Sequence, residues 1–283
     1  MAGGDQGMPF LSLDEGFQGP RLLAGEVVDD ASAFPEELLA VFDGATEDPA
    51  RWAAAWKELG ADLICLRLLS TDPETGGASP EDAVETVKAV YAASELPLIV
   101  YGCGNPERDA ATLSAVAEAM AGCRLLLATV EEDHYKTVSA AAMAHGHAVL
   151  AFSNLDINLA KQMNILLSDF GVDRKDIVMD PLYAPLGMGL DYSYSVNERI
   201  RLAALSGDRM LQCPIISDAS AAWDVGDATS DDPELGDILA RGSNWEIVTG
   251  LSALLSGADM LIVRSPLAMA SLKASIAALG EVQ

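Results

Sequence analysis

Short apolar runs recur along this chain without internal alternation, each closed by a polar or turn-forming residue and followed by a segment of helical periodicity. Leu22–Val28, Leu63–Leu68, Pro97–Tyr101, Leu125–Thr129, His147–Phe152, Ile177–Met179, Pro214–Ser217 and Asp259–Val263 all read this way. A strand that is apolar on both faces needs cover on both faces, as in a parallel sheet wrapped by helices. Eight such runs alternate with eight helical segments, and no composition break marks a linker. The expectation is an α/β protein, a single-domain (β/α)8 TIM barrel over residues 21–283, preceded by a glycine-rich N-terminal arm over 1–20. A doubly wound open sheet is the alternative, which counting elements leaves open.

Local signals place several helices. Ser79-Pro80 is an N-cap followed by proline at the first helical position, and Pro106 and Pro266 open helices in the same way. The helix over Ile157–Phe170 stops at Gly171. Ser195-Val196-Asn197-Glu198 reads as a capping box that starts a helix running to Leu205, and Asn244–Ser256 reads as another helix.

Charge narrows the partners. Seventeen basic residues against 43 acidic ones give a net charge of −26, which repels nucleic acid and anionic membrane surfaces. No run of 18 apolar residues and no secretory leader pattern occurs, so a soluble cytoplasmic protein is expected. The four cysteines, Cys65, Cys103, Cys123 and Cys213, are too scattered for a metal motif, so no iron–sulfur cluster is expected on this chain.

In a barrel of this kind the functional face lies at the C-terminal ends of the strands. Arg67, Asn105, Glu131, Ser153, Asn154, Asp156, Asp180, Asp218 and Arg264 fall at or just beyond such ends. Each has two readings: part of one binding site, or a local role in which Asp156 and Asp218 cap helices and Asp180 binds its own turn. Gly102-x-Gly104-Asn105-Pro106 lacks the third glycine of a dinucleotide fingerprint and the Lys-Ser/Thr of a P-loop, and reads as a tight turn offering the Asn105 amide to a heterocycle. His145 and His147 lie at the start of a strand, away from that face, and read as structural, whereas His134 is placed to line a site. No G-x-S-x-G and no nucleophile with an evident base occurs, so no catalytic residue and no metal ligand is assigned.

The stretch Asp180–Leu205, D-P-L-Y-A-P-L-G-M-G-L-D-Y-S-Y-S-V-N-E-R-I-R-L-A-A-L, resembles the small subunit of the corrinoid iron–sulfur protein, the delta subunit of the carbon monoxide dehydrogenase/acetyl-CoA synthase complex. W-A-A-A-W-K-E-L-G-A-D-L-I-C-L-R from Trp52, P-L-I-V-Y-G-C-G-N from Pro97 and G-H-A-V-L-A-F-S-N-L-D-I-N from Gly146 are similar to it as well. The resemblance implies a barrel that shares a cobamide with a large subunit carrying the iron–sulfur cluster and the corrinoid domain. It also implies transient contact with a methyltetrahydropterin methyltransferase and with acetyl-CoA synthase, in the reductive acetyl-CoA pathway. On that reading the loop residues Tyr183, Gly187, Gly189, Tyr192 and Tyr194, together with Asn105 and Asp156, lie near the cofactor's edge. The alternative is a stand-alone TIM-barrel methyltransferase in which Asn105, Asp156, Asn158 and Asp180 bind the ring of a methyltetrahydropterin. The chain departs from the family pattern at A-A-W-D-V-G-D-A, Ala221 to Ala228, and across a longer segment within 219–245, changes that bear on partner docking and corrinoid contacts.

Overall fold

A computed structural model describes residues 19–280, so the arm expected over 1–20 lies outside the described residues apart from Gly19 and Pro20. Strands β1 (Leu22–Val28), β2 (Leu63–Arg67), β3 (Leu98–Tyr101), β4 (Leu126–Val130), β5 (Ala148–Phe152), β6 (Ile177–Asp180), β7 (Ile216–Asp218) and β8 (Met260–Val263) follow one another with helices between. They form one eight-stranded sheet in the order β6-β5-β4-β3-β2-β1-β8-β7, and Met179 of β6 bridges Ile215, just ahead of β7, in parallel. Sequential order with its two ends joined is the (β/α)8 barrel, not the open sheet.

The helices are α1 (Glu36–Ala40), α2 (Pro49–Glu58), α3 (Pro80–Ser94), α4 (Pro106–Ala119), α5 (Tyr135–His145), α6 (Ile157–Phe170), α7 (Leu190–Leu205), α8 (Gly226–Thr229), α9 (Ile238–Ser256) and α10 (Pro266–Gly280). Among the described residues no helix is long and apolar enough to cross a membrane. Two compact units are distinguishable among the described residues, one of residues 19–24, 153–162 and 179–280, the other of residues 25–152 and 163–178.

In the second unit, α2 packs through Trp52 and Trp56, both fully buried, with Phe42 edge-on to each ring at 5.5 and 5.2 Å. The Trp56 Nε1 donates to the Glu26 carbonyl at 2.7 Å, so the indole's one polar atom is satisfied. Gly25 makes room for this ring, since a Cβ there would lie 2.3 Å from Trp56 Cδ2. Pairing of β2 with β3 is in step from Ile64↔Leu98 to Arg67↔Tyr101, while the β4–β5 ladder shifts between Ala128 and Val130 and leaves Thr129 out of register.

His147 is structural, as its position suggested. It is 3% exposed, its Nδ1 accepts from the Leu125 amide at 3.0 Å, and Nε2 lies 2.9 Å from the Ala117 carbonyl, which fixes the proton on Nε2. Burial is the main cause that holds its pKa below the ordinary histidine value. The unfolded chain therefore binds the proton more readily, and stability is complete above about pH 6.5 and falls as pH drops below it, levelling off past the lower native value. Thermal melts at pH 8 and pH 5.5 should show a larger loss in the wild type than in His147→Gln; equal losses would mean that other groups carry the acid sensitivity.

The first unit is built on a buried ion cluster. Arg201, fully buried on α7, donates Nε to the Gly257 carbonyl at 2.9 Å and Nη1 to the Cys213 carbonyl at 3.2 Å, and its Nη2 meets the Asp259 carboxylate. Asp259 also accepts from Arg21 Nη1 at 3.0 Å and from the Ile215 amide at 2.8 Å. These groups stand just ahead of β1, β7 and β8, the end of such a barrel where buried polar groups serve stability.

Two helix starts differ from the sequence reading. α7 begins at Leu190, with Gly189 (φ 100°) at its N-cap, so Ser195 and Glu198 lie inside the helix and form no capping box. Its buried stripe of Ser193, Val196, Asn197, Ile200, Arg201 and Ala204 has full helical spacing but is half polar, which hid it from a hydrophobic pattern. α9 begins at Ile238, capped by the Asp237 side chain on the Ala240 amide, six residues before Asn244. In the structure Gly242 is where α9 meets Trp223, a Cβ there lying 2.4 Å from the ring, and Ser243 Oγ bonds Ser265 Oγ at 2.7 Å.

Candidate functional site

In the first unit the chain leaves β5 and β6 through two strained turns that support one another. Leu155 (φ 59°) and Leu182 (φ 64°) both take the left-handed conformation, which costs a residue with a Cβ about 1 kcal/mol or more. The Ser153 amide donates to the Asp180 carbonyl at 3.0 Å and the Leu155 amide to the Pro181 carbonyl at 2.8 Å. Asp180, 7% exposed, accepts from the Leu182 amide at 2.9 Å, and Asp156 accepts from the Asn158 and Leu159 amides at the start of α6. Both carboxylates thus have the local roles that were the plainer of their two readings.

Beyond Leu182 the loop is fastened along its length. The Ala184 amide donates to Ser193 Oγ at 2.8 Å, the Leu186 amide to Thr249 Oγ1 at 3.2 Å, and Trp245 Nε1 to the Leu186 carbonyl at 2.9 Å. The Tyr183 hydroxyl lies 2.9 Å from Ser252 Oγ. Trp245, Thr249 and Ser252 are four and three residues apart on α9, hence on one face of that helix. The loop backbone is held down while Leu186 (37% exposed), Met188 (65%) and, on the first turn of α7, Tyr192 (69%) stand out into solvent. Leu182, Tyr183, Pro185 and Met188 line a pocket of about 320 Å3 together with Ala221, Asp224 and Val225.

The strand end of β8 is held by a buried carboxylate. Glu246, fully buried on α9, accepts from Trp223 Nε1 at 2.9 Å, from the Ser265 amide at 3.0 Å and from the Arg264 amide. The Arg264 guanidinium reaches Asp224 at 3.2 Å.

The second unit carries a different surface. Arg67, the last residue of β2, donates to the buried Glu26 carboxylate at 2.6 Å and lies over the Tyr101 ring at 4.5 Å from its centroid. After β3 the glycine turn closes on Asp109, whose carboxylate accepts from the Cys103 amide at 2.8 Å and the Gly104 amide at 3.0 Å. Burial is the largest cause that pushes the Cys103 thiol pKa up, which keeps it protonated. Asn105 is exposed, and its Oδ1 accepts from the Arg108 amide to cap α4. Gly104, Asp109, Thr129, Glu131 and His134 line a small adjoining cleft of about 50 Å3. A Cβ on Gly102 would fall 2.1 Å from the Asp109 carboxylate. Gly102→Ala is accordingly expected to lift Asp109 off both amides, accelerating hydrogen exchange at Cys103 and Gly104 by about tenfold for each 1.4 kcal/mol lost. Unchanged exchange would mean that the turn holds without this carboxylate.

The residues singled out from sequence are therefore distributed. Asn105 belongs to the second unit, whereas Asp156, Asn158, Asp180, Tyr183, Gly187, Gly189, Tyr192 and Tyr194 belong to the first. Gly187 (φ 89°) and Gly189 (φ 100°) shape the loop, but Tyr183 is 1% exposed, and Tyr192 and Tyr194 belong to α7, not to the loop. Trp245, Thr249, Ser252, Glu246 and Asp109 were not anticipated. Among the described residues no group of three or more His, Cys, Asp and Glu is placed to hold a metal ion.

The fold defines a (β/α)8-barrel protein, and the loop after β6 stands at its strand ends fastened along its backbone with apolar side chains exposed. The chain belongs to the CO dehydrogenase/acetyl-CoA synthase delta subunit family, whose sequence model matches residues 2–270. It is 38% identical over 250 residues to the acetyl-CoA decarbonylase/synthase complex subunit delta of Methanothermobacter thermautotrophicus, covering 87% of this chain and 64% of that protein. It is 36% identical over 282 residues to the subunit delta of Methanosarcina mazei, covering 96% of this chain and 64% of the relative. The chain thus spans about 64% of the length of these curated relatives. Among solved structures, dihydropteroate synthase of Xanthomonas albilineans superposes with a TM-score of 0.60 at 19% identity over 96% of both chains. The Thermus thermophilus enzyme gives 0.59 at 19% identity over 92% of this chain and 94% of its own. At that identity the likeness is one of fold.

Proposed function

We propose that this chain is the accessory barrel of a corrinoid-dependent methyl-transferring complex, covering a cobamide held by a large subunit that carries the iron–sulfur cluster. The observation that carries this reading is the loop after β6, apolar on its outer side and fastened by Ser193, Trp245, Thr249 and Ser252. An apolar surface presented on immobilised backbone suits a large rigid macrocycle, because little ordering entropy is lost on contact. Leu186, Met188 and Tyr192 would meet the cofactor's edge, with Gly187 and Gly189 permitting close backbone approach. When bound, the corrinoid supplies the cobalt that carries the methyl group; the barrel's part is to exclude water and oxidants from it. The methyl donor, a methyltetrahydropterin methyltransferase, and the acceptor, acetyl-CoA synthase, are transient partners in this scheme.

A second reading is a methyltransferase that itself binds a methyltetrahydropterin. It is favoured by the fold shared with dihydropteroate synthases, one of which, from Coxiella burnetii, was solved with pteroic acid. Against it, the side-chain oxygens of Asn105, Asp156 and Asp180 that would read a pterin ring already accept from backbone amides. Calorimetric titration of methyltetrahydrofolate, and of its methanopterin counterpart, into the isolated chain separates the two. No saturable heat is expected. Saturable binding that disappears in Asn105→Ala or Asp180→Ala would establish the methyltransferase instead.

A further inference from the structure

The chemistry bordering the β6 loop narrows what a partner brings to this face. The pocket between Leu182–Met188 and Ala221–Val225 has one charged lining residue, Asp224, which already pairs with Arg264, so the acidic character of this face comes from the segment that follows. From there the chain runs through Asp227, Asp231, Asp232, Glu234 and Asp237, all exposed, with no basic residue before Arg241. Arg241 does not stand among those carboxylates as a counter-charge at the surface. Its guanidinium is wrapped by the carbonyls of Ala228, Ser230, Leu235 and Gly236, which folds the acidic segment around it. Arg241 lies four residues before Trp245 on α9, so the face of that helix which fastens the β6 loop also holds the acidic segment. Pocket and border are thus a preformed pair.

An anionic ligand is repelled by such a border, and a neutral one gains nothing from it. A second copy of a chain with net charge −26 would bring the same carboxylates to an isologous contact. What fits is a polypeptide surface with a protruding apolar side chain flanked by lysine or arginine. We propose that this pocket and its acidic border dock such a segment of the partner subunit, an inference that rests on the accessory-subunit reading and specifies its interface. The apolar side chain provides the anchor, and the flanking cations provide orientation and rate of encounter.

The test measures binding of the full chain to the large subunit by surface plasmon resonance between about 50 mM and 500 mM NaCl. Wild-type affinity should fall at least ~10-fold across that range, mainly through the association rate. The triple variant Asp231→Lys, Asp232→Lys, Glu234→Lys should bind at least ~10-fold more weakly at low salt and lose the salt dependence. Ala221→Trp, which fills the pocket, should weaken binding by ~10-fold or more at every salt concentration. If wild type binds and both variants match it in affinity and salt response, the docking proposal falls while the accessory reading stands. If wild type does not bind the large subunit at all, both fall. Self-association in sedimentation that the same variants abolish would assign the face to a second copy and overturn the proposal.

Discussion

Replacing Asp259 by alanine is expected to be among the most damaging single changes in this chain, costing about 3–5 kcal/mol of folding free energy. Its carboxylate is fully buried and faces Arg201 and Arg21 together, with the Ile215 amide as a third donor. Removing it leaves two guanidinium groups close together with no anion between them. Arg21 is already held below its ordinary pKa, chiefly by burial and opposed by the attraction of Asp259, so loss of the carboxylate takes away the group that favours its charge. At roughly 2–4 °C per kcal/mol for a chain of this size, the melting temperature should drop by about 10 °C. Asp259→Asn keeps the shape and part of the hydrogen bonding, and should fall between alanine and wild type. Urea unfolding of the three proteins checks this. A loss below about 1 kcal/mol for alanine would show that the cluster stabilises no more than an apolar replacement.

The second large effect concerns the loop after β6. The double variant Leu186→Asp, Met188→Asp is expected to weaken joint cobamide retention by about 30-fold or more, since charge placed in a contact that must lose water costs about 2–4 kcal/mol. Both side chains are exposed in the isolated chain, at 37% and 65%, so its melting temperature should stay within about 2 °C of wild type. Undiminished retention with the large subunit would place the cofactor contact elsewhere. A collapse of the melting temperature would mean instead that these side chains support the fold.

How much of this could be read from residues alone follows from the range of the interactions. Strand positions were legible to within about two residues because a strand buried on both faces writes itself as a continuous apolar run. The caps at Ser79, Asn105 and Asp156 are local as well, since a side chain binds amides two or three residues ahead. The same locality explains why Asn105, Asp156 and Asp180 were marked as binding candidates: a cap at a strand end and a ligand contact look alike in sequence. The helix starts of α7 and α9 were missed where tertiary needs override local preference, the buried polar stripe Ser193–Asn197–Arg201 in one and the Gly242–Trp223 contact in the other. Arg201 and Asp259 are 58 residues apart and Trp245 and Leu186 are 59 apart, with no periodicity linking them. One signal was present and unused: Arg241, Trp245 and Thr249 recur every fourth residue, a stripe of hydrogen-bonding side chains down one helix face.

Under the proposed function, this barrel covers a cobamide jointly with a second subunit. Gel filtration of the chain alone, of the large subunit alone and of their mixture, each preincubated with a cobamide and read by corrinoid absorbance, tests it most directly. No cobamide should co-migrate with the chain alone, and corrinoid in the mixed complex should survive dilution better than in the large subunit by itself. Equal loss from the large subunit with and without this chain would contradict it.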